Sequence, residues 1–135
     1  PFDEFLKAVK YFLSAKDETF ISSFHLLHSQ ADNQFWAVAD CSLNVRPSAD
    51  DLARIALNTA ENFTKITQET ARVALLSFST SGSAAHPLAE NVRHAARIAK
   101  EKRPDLLIEG EIQLDAAMLP EVAAQKLPNG SWQGK

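Results

Sequence analysis

Residues Arg72 to Ser79 are a short apolar run, free of Gly and Pro, that stops abruptly in Ser79-Thr80-Ser81-Gly82-Ser83. A run of that length between polar flanks reads as a buried strand. The five residues after it offer hydroxyls, backbone N–H groups and one flexible Gly. Pro87 then suits the first turn of a helix. A strand, a Ser/Gly loop and a helix start place an anion or a substrate at the carboxyl end of a strand in α/β proteins.

A second apolar segment repeats the pattern. Leu106 to Ile108 reads as a short strand, with Gly110 as its breaker and Glu109-Gly-Glu-Ile-Gln-Leu-Asp115 as the loop behind it. Upstream, Thr19 to His28 is rich in β-branched and aromatic residues and predicts a strand. Gln30 to Gln34 is a polar turn, and Phe35 to Cys41 predicts the next strand, so the short gap implies an antiparallel hairpin.

The helical segments are equally legible. Phe2, Phe5, Leu6, Val9, Phe12 and Leu13 recur at helical spacing over Pro1 to Ala15. Ser48 follows Pro47 and precedes Asp51 by three residues, a capping-box-like start. Leu52, Ile55, Ala56, Thr59 and Phe63 are its inward stripe. Pro87 to Lys102 predicts a helix with Leu88, Val92, Ala95, Ala96 and Ala99 inward, basic residues in its last turns and Pro104 beyond its end. Ala116 to Lys126 predicts a last helix that Pro120 interrupts, and Pro128-Asn-Gly130 a turn.

From Phe35 onward strands alternate with helices. The expected fold is α/β, a three-layer sheet of mostly parallel strands flanked by helices, with the opening hairpin supplying one antiparallel edge strand. The 135 residues suffice for one domain with a sizeable core. A net charge of −3 spread along the chain gives no electrostatic case for nucleic acid or an anionic membrane, and no run approaches the length of a spanning helix. The single cysteine, Cys41, excludes an internal disulfide and favours a cytoplasmic setting. It reads as a small buried hydrophobe rather than a nucleophile. His25 and His28 fall on opposite strand faces, a poor metal pair. His86 neighbours a helix cap, and His94 lies on a helix surface. No Ser, His and acid are spaced to argue a triad, and no ligand spacing argues a metal.

Several ordered motifs resemble the phosphate acetyl/butyryl transferase family. They are Ser-Phe-Ser-Thr-x-Gly-Ser ending at Ser83, Glu-Lys-Arg-Pro-Asp-Leu-Leu ending at Leu107, Gly-Glu-x-Gln-x-Asp-Ala-Ala ending at Ala117, and Pro120-Glu-Val-Ala123. Ala39-Asp-Cys-Ser-Leu-Asn44, Pro47 and Asp51-Leu-Ala-x-Ile-Ala56 fit in the same order, so the resemblance runs from about Phe35 to Lys126.

The resemblance implies an isocitrate/isopropylmalate dehydrogenase-like second domain. Residues 1–135 would then be a single α/β domain and a fragment of a two-domain acyltransferase, consistent with a start at Pro1 and an end at Lys135. The implied reaction interconverts acetyl-CoA plus phosphate with acetyl phosphate plus CoA, by direct thiolate attack. CoA is a substrate and no cofactor is bound tightly. A cytoplasmic homodimer is implied. A phosphate butyryltransferase is an alternative, since acyl pockets discriminate weakly between chain lengths. A phosphotransacetylase-like regulatory or oligomerisation domain of a bifunctional malic enzyme is another, and a bare scaffold domain a third.

Candidate substrate residues are Ser79, Thr80, Gly82, Ser83, Gln113 and Asp115. The residues alone leave the Ser79–Ser83 stretch open between phosphate or carbonyl binding and simple turn and cap formation; the resemblance points to the cleft. Asp115 is a capping candidate as well as a cleft one. Asp40 and Asn44 flank the second strand, Asn44 as a loop-stitching residue. Arg93, Arg97, Lys100, Lys102 and Arg103 read as a solvated basic face paired with Glu90 and Glu101, in preference to a contact for CoA phosphates. The family's arginines and its Ser-Arg pair have no counterpart here, so the catalytic residues are expected outside the chain.

Overall fold

The computed structural model describes residues 4, 5, 7, 8, 11, 20–40, 42–128 and 130–134. The described residues of the expected first helix, 4, 5, 7, 8 and 11, are helical. The rest of that segment and Cys41 lie outside the described residues.

Strands β1 (Phe24–Ser29) and β2 (Gln34–Ala39) form the expected antiparallel hairpin, pairing Phe24 with Ala39 and Ser29 with Gln34. Asn33 sits at φ 54° in its turn, a left-handed position that Asn tolerates. β1 starts later than the sequence suggests. Helix α1 (Ala49–Thr67) opens on a full capping box: Ser48 Oγ accepts from Asp51 N, and Asp51 Oδ2 accepts from Ser48 N. Two orphan amides of the first turn are thereby satisfied.

Strand β3 (Arg72–Leu76) precedes helix α2 (Pro87–Lys102), and strand β4 (Leu107–Ile112) returns parallel to β3. Helices α3 (Leu114–Met118) and α4 (Pro120–Lys126) follow. The last helix is thus divided just before Pro120, whose missing N–H suits the start of a new helix.

Two corrections concern the sheet. The hairpin is not an edge of the parallel pair: β1–β2 and β3–β4 are separate two-stranded sheets, with α1 packed against both β2 and β3. Gly110 does not break β4, which continues to Ile112. A Cβ at Gly110 would lie 2.8 Å from Leu75 Cβ, 3.0 Å from Leu75 O and 3.3 Å from Ala96 Cβ. Glycine is there because strand and helix approach too closely for a side chain. The segment expected to be a loop from Glu109 onward is therefore strand as far as Ile112.

The core is built largely on alanine. Ala49 and Ala53 of α1, Ala95, Ala96 and Ala99 of α2, Leu75 and Ile108 form one buried cluster, with Leu52, Ala56 and Val92 at its margin. Leu88, expected inward, is 54% exposed in the first turn of α2; Ala89 takes the buried place. A second cluster gathers Ile112, Ala116, Ala117, Ala123, Leu127 and Trp132. Trp132 donates from Nε1 to Ala117 O at 3.2 Å, and the Arg72 guanidinium stacks over its ring. Among the described residues no helix is long and apolar enough to cross a membrane.

Candidate functional site

Parallel pairing puts the carboxyl ends of β3 and β4 side by side. The segments leaving them, Ser77 to His86 and Gln113 to Asp115, must therefore meet, and they do. Ser77 N donates to Ile112 O at 2.9 Å, and Ser81 N to Glu111 O at 3.2 Å. Thr80 Oγ1 accepts from Gln113 N at 2.9 Å and donates to Gln113 Oε1 at 3.2 Å.

All six candidate residues share this one place in the fold, but they differ in what they leave free. Ser79 is fully buried and Thr80 nearly so. Ser79 Oγ donates to Glu111 Oε1 at 2.6 Å and accepts from Ala84 N at 3.1 Å. Ser83 Oγ accepts from Thr80 N at 3.1 Å and lies 3.2 Å from Ser79 Oγ. The amides of residues 79–84 are all engaged within the cluster, so none is an open anion site. The buried hydroxyls shape the loop. Gly82, at φ 81°, and Ser83 are on its exposed rim. Gly82 supplies a left-handed turn that a side chain would oppose.

The residue with the most side-chain contacts to this loop, Glu111, is not among the sequence candidates. Its carboxylate is buried and takes hydrogen bonds from Ser79 Oγ, Gly82 N at 2.9 Å, Arg93 Nε at 2.7 Å and Arg93 NH2 at 3.2 Å. A buried charge is tolerable only when paired and hydrogen-bonded. Burial alone would raise its pKa; the Arg93, Ser79 and Gly82 hydrogen bonds and the Arg93 charge outweigh that and bring it down to about 2. Glu111 correspondingly raises the Arg93 pKa. The available signal was the alternation Glu109, Glu111, Gln113 on a strand face, hidden by reading Gly110 as a break.

The other end of the cluster has its own cation, also missed. Lys126 at the end of α4 donates to Gln113 Oε1 at 3.0 Å and to Asp115 Oδ2 at 2.7 Å. Lys126 and the Ala116 amide hold the Asp115 carboxyl below the ordinary range. Asp115 Oδ1 accepts from Ala116 N, as its capping role predicts, but the N-cap position itself belongs to Gln113.

His86 is itself the N-cap of α2, accepting from Leu88 N through Nδ1. Asn44 stitches its loop to a distant segment, donating to Ile21 O at 3.4 Å. His28 lies 3.0 Å from Asn33 Oδ1 and stacks on Phe35. No group of three or more His, Cys, Asp or Glu is placed to hold a metal among the described residues. The basic face of α2 is interleaved with acids: Arg93 with Glu90 and Glu111, Lys100 with Glu109, and Arg103 with Asp105. An open groove of about 490 Å³ on that face is lined by Glu90 as well as Arg93, His94 and Arg97.

The family model described as phosphate acetyl/butaryl transferase matches residues 4–135. The chain belongs to that family. It is similar to the phosphate acetyltransferase of Clostridium acetobutylicum, 49% identical over 96 residues, a match covering 71% of this chain and 29% of that protein. Its fold is similar to the phosphotransacetylase of Streptococcus pyogenes, with a TM-score of 0.79 at 41% identity over 86% of this chain and 35% of that one. The EutD phosphotransacetylase from Staphylococcus aureus gives a TM-score of 0.82 at 29% identity over 96% and 40%. The chain thus spans about a third of the length of these family members. The α/β architecture of strands and covering helices is shared with the solved phosphotransacetylases.

Proposed function

We propose that this chain forms the second, isocitrate/isopropylmalate dehydrogenase-like domain of a two-domain phosphate acetyltransferase, and that the Ser79–Ser83 loop with Gln113 and Asp115 lines its substrate cleft. The proposed reaction joins acetyl phosphate and CoA. The CoA thiolate attacks the acetyl carbonyl carbon, the C–S bond forms, the C–O bond to phosphate breaks, and phosphate leaves. CoA and acetyl phosphate are then both substrates, and no tightly bound cofactor takes part.

One observation supports this placement above the rest: six residues from two separate segments converge at the carboxyl ends of a parallel strand pair, the usual ligand side of an open α/β sheet. Within it, Gly82 and Ser83 form the exposed rim that would meet phosphate or carbonyl oxygens, while Ser79, Thr80 and Gln113 hold the loop's shape. The reaction also needs cations on the phosphate and a base for the thiol. Arg93 and Lys126, the cations nearest the loop, are each committed to a carboxylate, and this reading places the catalytic cations and base outside this chain. A cytoplasmic homodimer, as family members commonly form, completes the reading.

Acetyl phosphate and CoA titrated into the ¹⁵N-labelled chain test the placement. Amide shifts concentrated at residues 80–83 and 113–115 are the expected result. Shifts confined to the outer face of α2, or none in this region, contradict it.

A further inference from the structure

We propose that Glu111 is a positioning residue, a buried carboxylate that sets the substrate loop Ser79–Ser83 in place and is itself held in place by Arg93 reaching across from α2. This rests on the cleft reading above for its catalytic consequence, though not for its geometry.

The loop's own hydrogen bonds close its two ends, and its tip carries the strain. Ser81 and Gly82 are consecutive left-handed residues, at φ 48° and φ 81°, and a Ser in that region is disfavoured by its own Cβ. From outside the loop, Glu111 grips this tip at three points. Its main-chain oxygen accepts from Ser81 N; Oε1 accepts from Ser79 Oγ and Gly82 N. Ser79 Oγ in turn accepts from Ala84 N, so the hold extends to the far end of the loop. Arg93 binds both carboxylate oxygens and sits against Gly82, its NH2 3.7 Å from where a Cβ would be. That contact fixes which way the carboxylate faces.

Among the described residues the charged groups around Glu111 are few. From α2 come Arg93 and, behind it, Glu90 at 3.8 Å. On β4 itself Glu109 is paired with Lys100. Asp115 and Lys126 pair with each other at the opposite end of the loop and reach it through Gln113. Arg93 is therefore the cation on which the Glu111 carboxylate depends.

The Gly82 amide reports directly on this arrangement. Its ¹H–¹⁵N resonance should be followed from pH 7 to pH 2 in the wild type, Glu111→Gln, Arg93→Met and, as a control, Arg97→Met, with near-UV and far-UV spectra to confirm folding. In the wild type and the control, the resonance should stay constant through the ordinary carboxylate range and move only toward the acid limit. Arg93→Met removes a half-exposed side chain and should raise the midpoint by about one pH unit or more. Glu111→Gln should abolish the transition. A wild-type midpoint in the ordinary Glu range that Arg93→Met leaves in place would overturn the proposal, as would a transition surviving in Glu111→Gln.

The kinetic consequence separates positioning from bulk stability. In the complete acyltransferase, Glu111→Gln should raise KM for acetyl phosphate roughly 10-fold or more while KM for CoA stays near wild type. If the amide behaves as described but neither KM nor kcat changes, the loop is not the acyl phosphate's, and the role of Glu111 in the reaction falls with that assignment.

Discussion

Gly110→Ala isolates the reason for a glycine inside a strand. Its φ is outside the left-handed region, so alanine meets no backbone penalty and the whole cost is steric. The added methyl would sit 2.8 Å from Leu75 Cβ and 3.0 Å from Leu75 O, against about 3.5–4.0 Å for a comfortable carbon contact. Neither atom is the end of a flexible side chain, and Ala96 Cβ closes the third side at 3.3 Å. β3, β4 and α2 must therefore separate, as in an overpacked core, at a cost of about 1–3 kcal/mol, with backbone atoms in the way favouring the upper half. Reduced freedom of the unfolded chain returns about 0.4–1 kcal/mol. The net destabilisation is about 2 kcal/mol, which for a chain of this size lowers Tm by roughly 6–10 °C. Thermal and urea unfolding followed by far-UV circular dichroism measure it. An unchanged or raised Tm would refute the close-approach argument and restore Gly110 to the role of a simple strand breaker.

Thr80→Val keeps the side-chain shape but leaves the Gln113 amide without its acceptor; the expected loss is about 1–3 kcal/mol in urea unfolding, and a wild-type midpoint would contradict the bond. Ser48→Ala removes one half of the capping box and should cost about 1 kcal/mol, with no change in amide shifts near residue 80. The Glu111 carboxyl is depressed in the folded chain from 4.5 to about 2. Its contribution is therefore complete above pH ~5, fades as pH falls from there toward 2, and amounts to about 3 kcal/mol. Glu111→Gln should accordingly flatten the acid limb of stability against pH, and an acid limb as steep as wild type would count against the buried ion pair.

The β3–loop–α2 unit was readable because each of its parts carries a local signature: an apolar run, a Ser/Gly cluster and Pro87 at a helix start. Capping at Ser48 was readable for the same reason. What local pattern could not supply was pairing between distant segments. Nothing in β2 distinguishes an edge strand of the parallel sheet from one half of a separate hairpin. Gly110 was misread because the same residue serves a break and a tight approach, and only Leu75 and Ala96, far away in sequence, decide between them. That error concealed Glu111. Once β4 is allowed to run to Ile112, a carboxylate on a buried strand demands a cation, and Arg93 is the one that answers. The six substrate candidates were nominated by resemblance to the family, and the structure adds a division of labour among them that composition does not reveal. Ser79, Thr80 and Ser83 spend their hydroxyls inside the loop, whereas Gln113 ties the loop to Lys126.

Thioester formation from acetyl phosphate and CoA, measured with this chain alone and again with the flanking segments of the proposed two-domain acyltransferase supplied, tests the central claim most directly. The account predicts no turnover from the chain alone, because it places the phosphate-binding cations and the base in the flanking segments, and robust turnover once those are supplied. Turnover by the chain alone, or none from the complete protein, would contradict it.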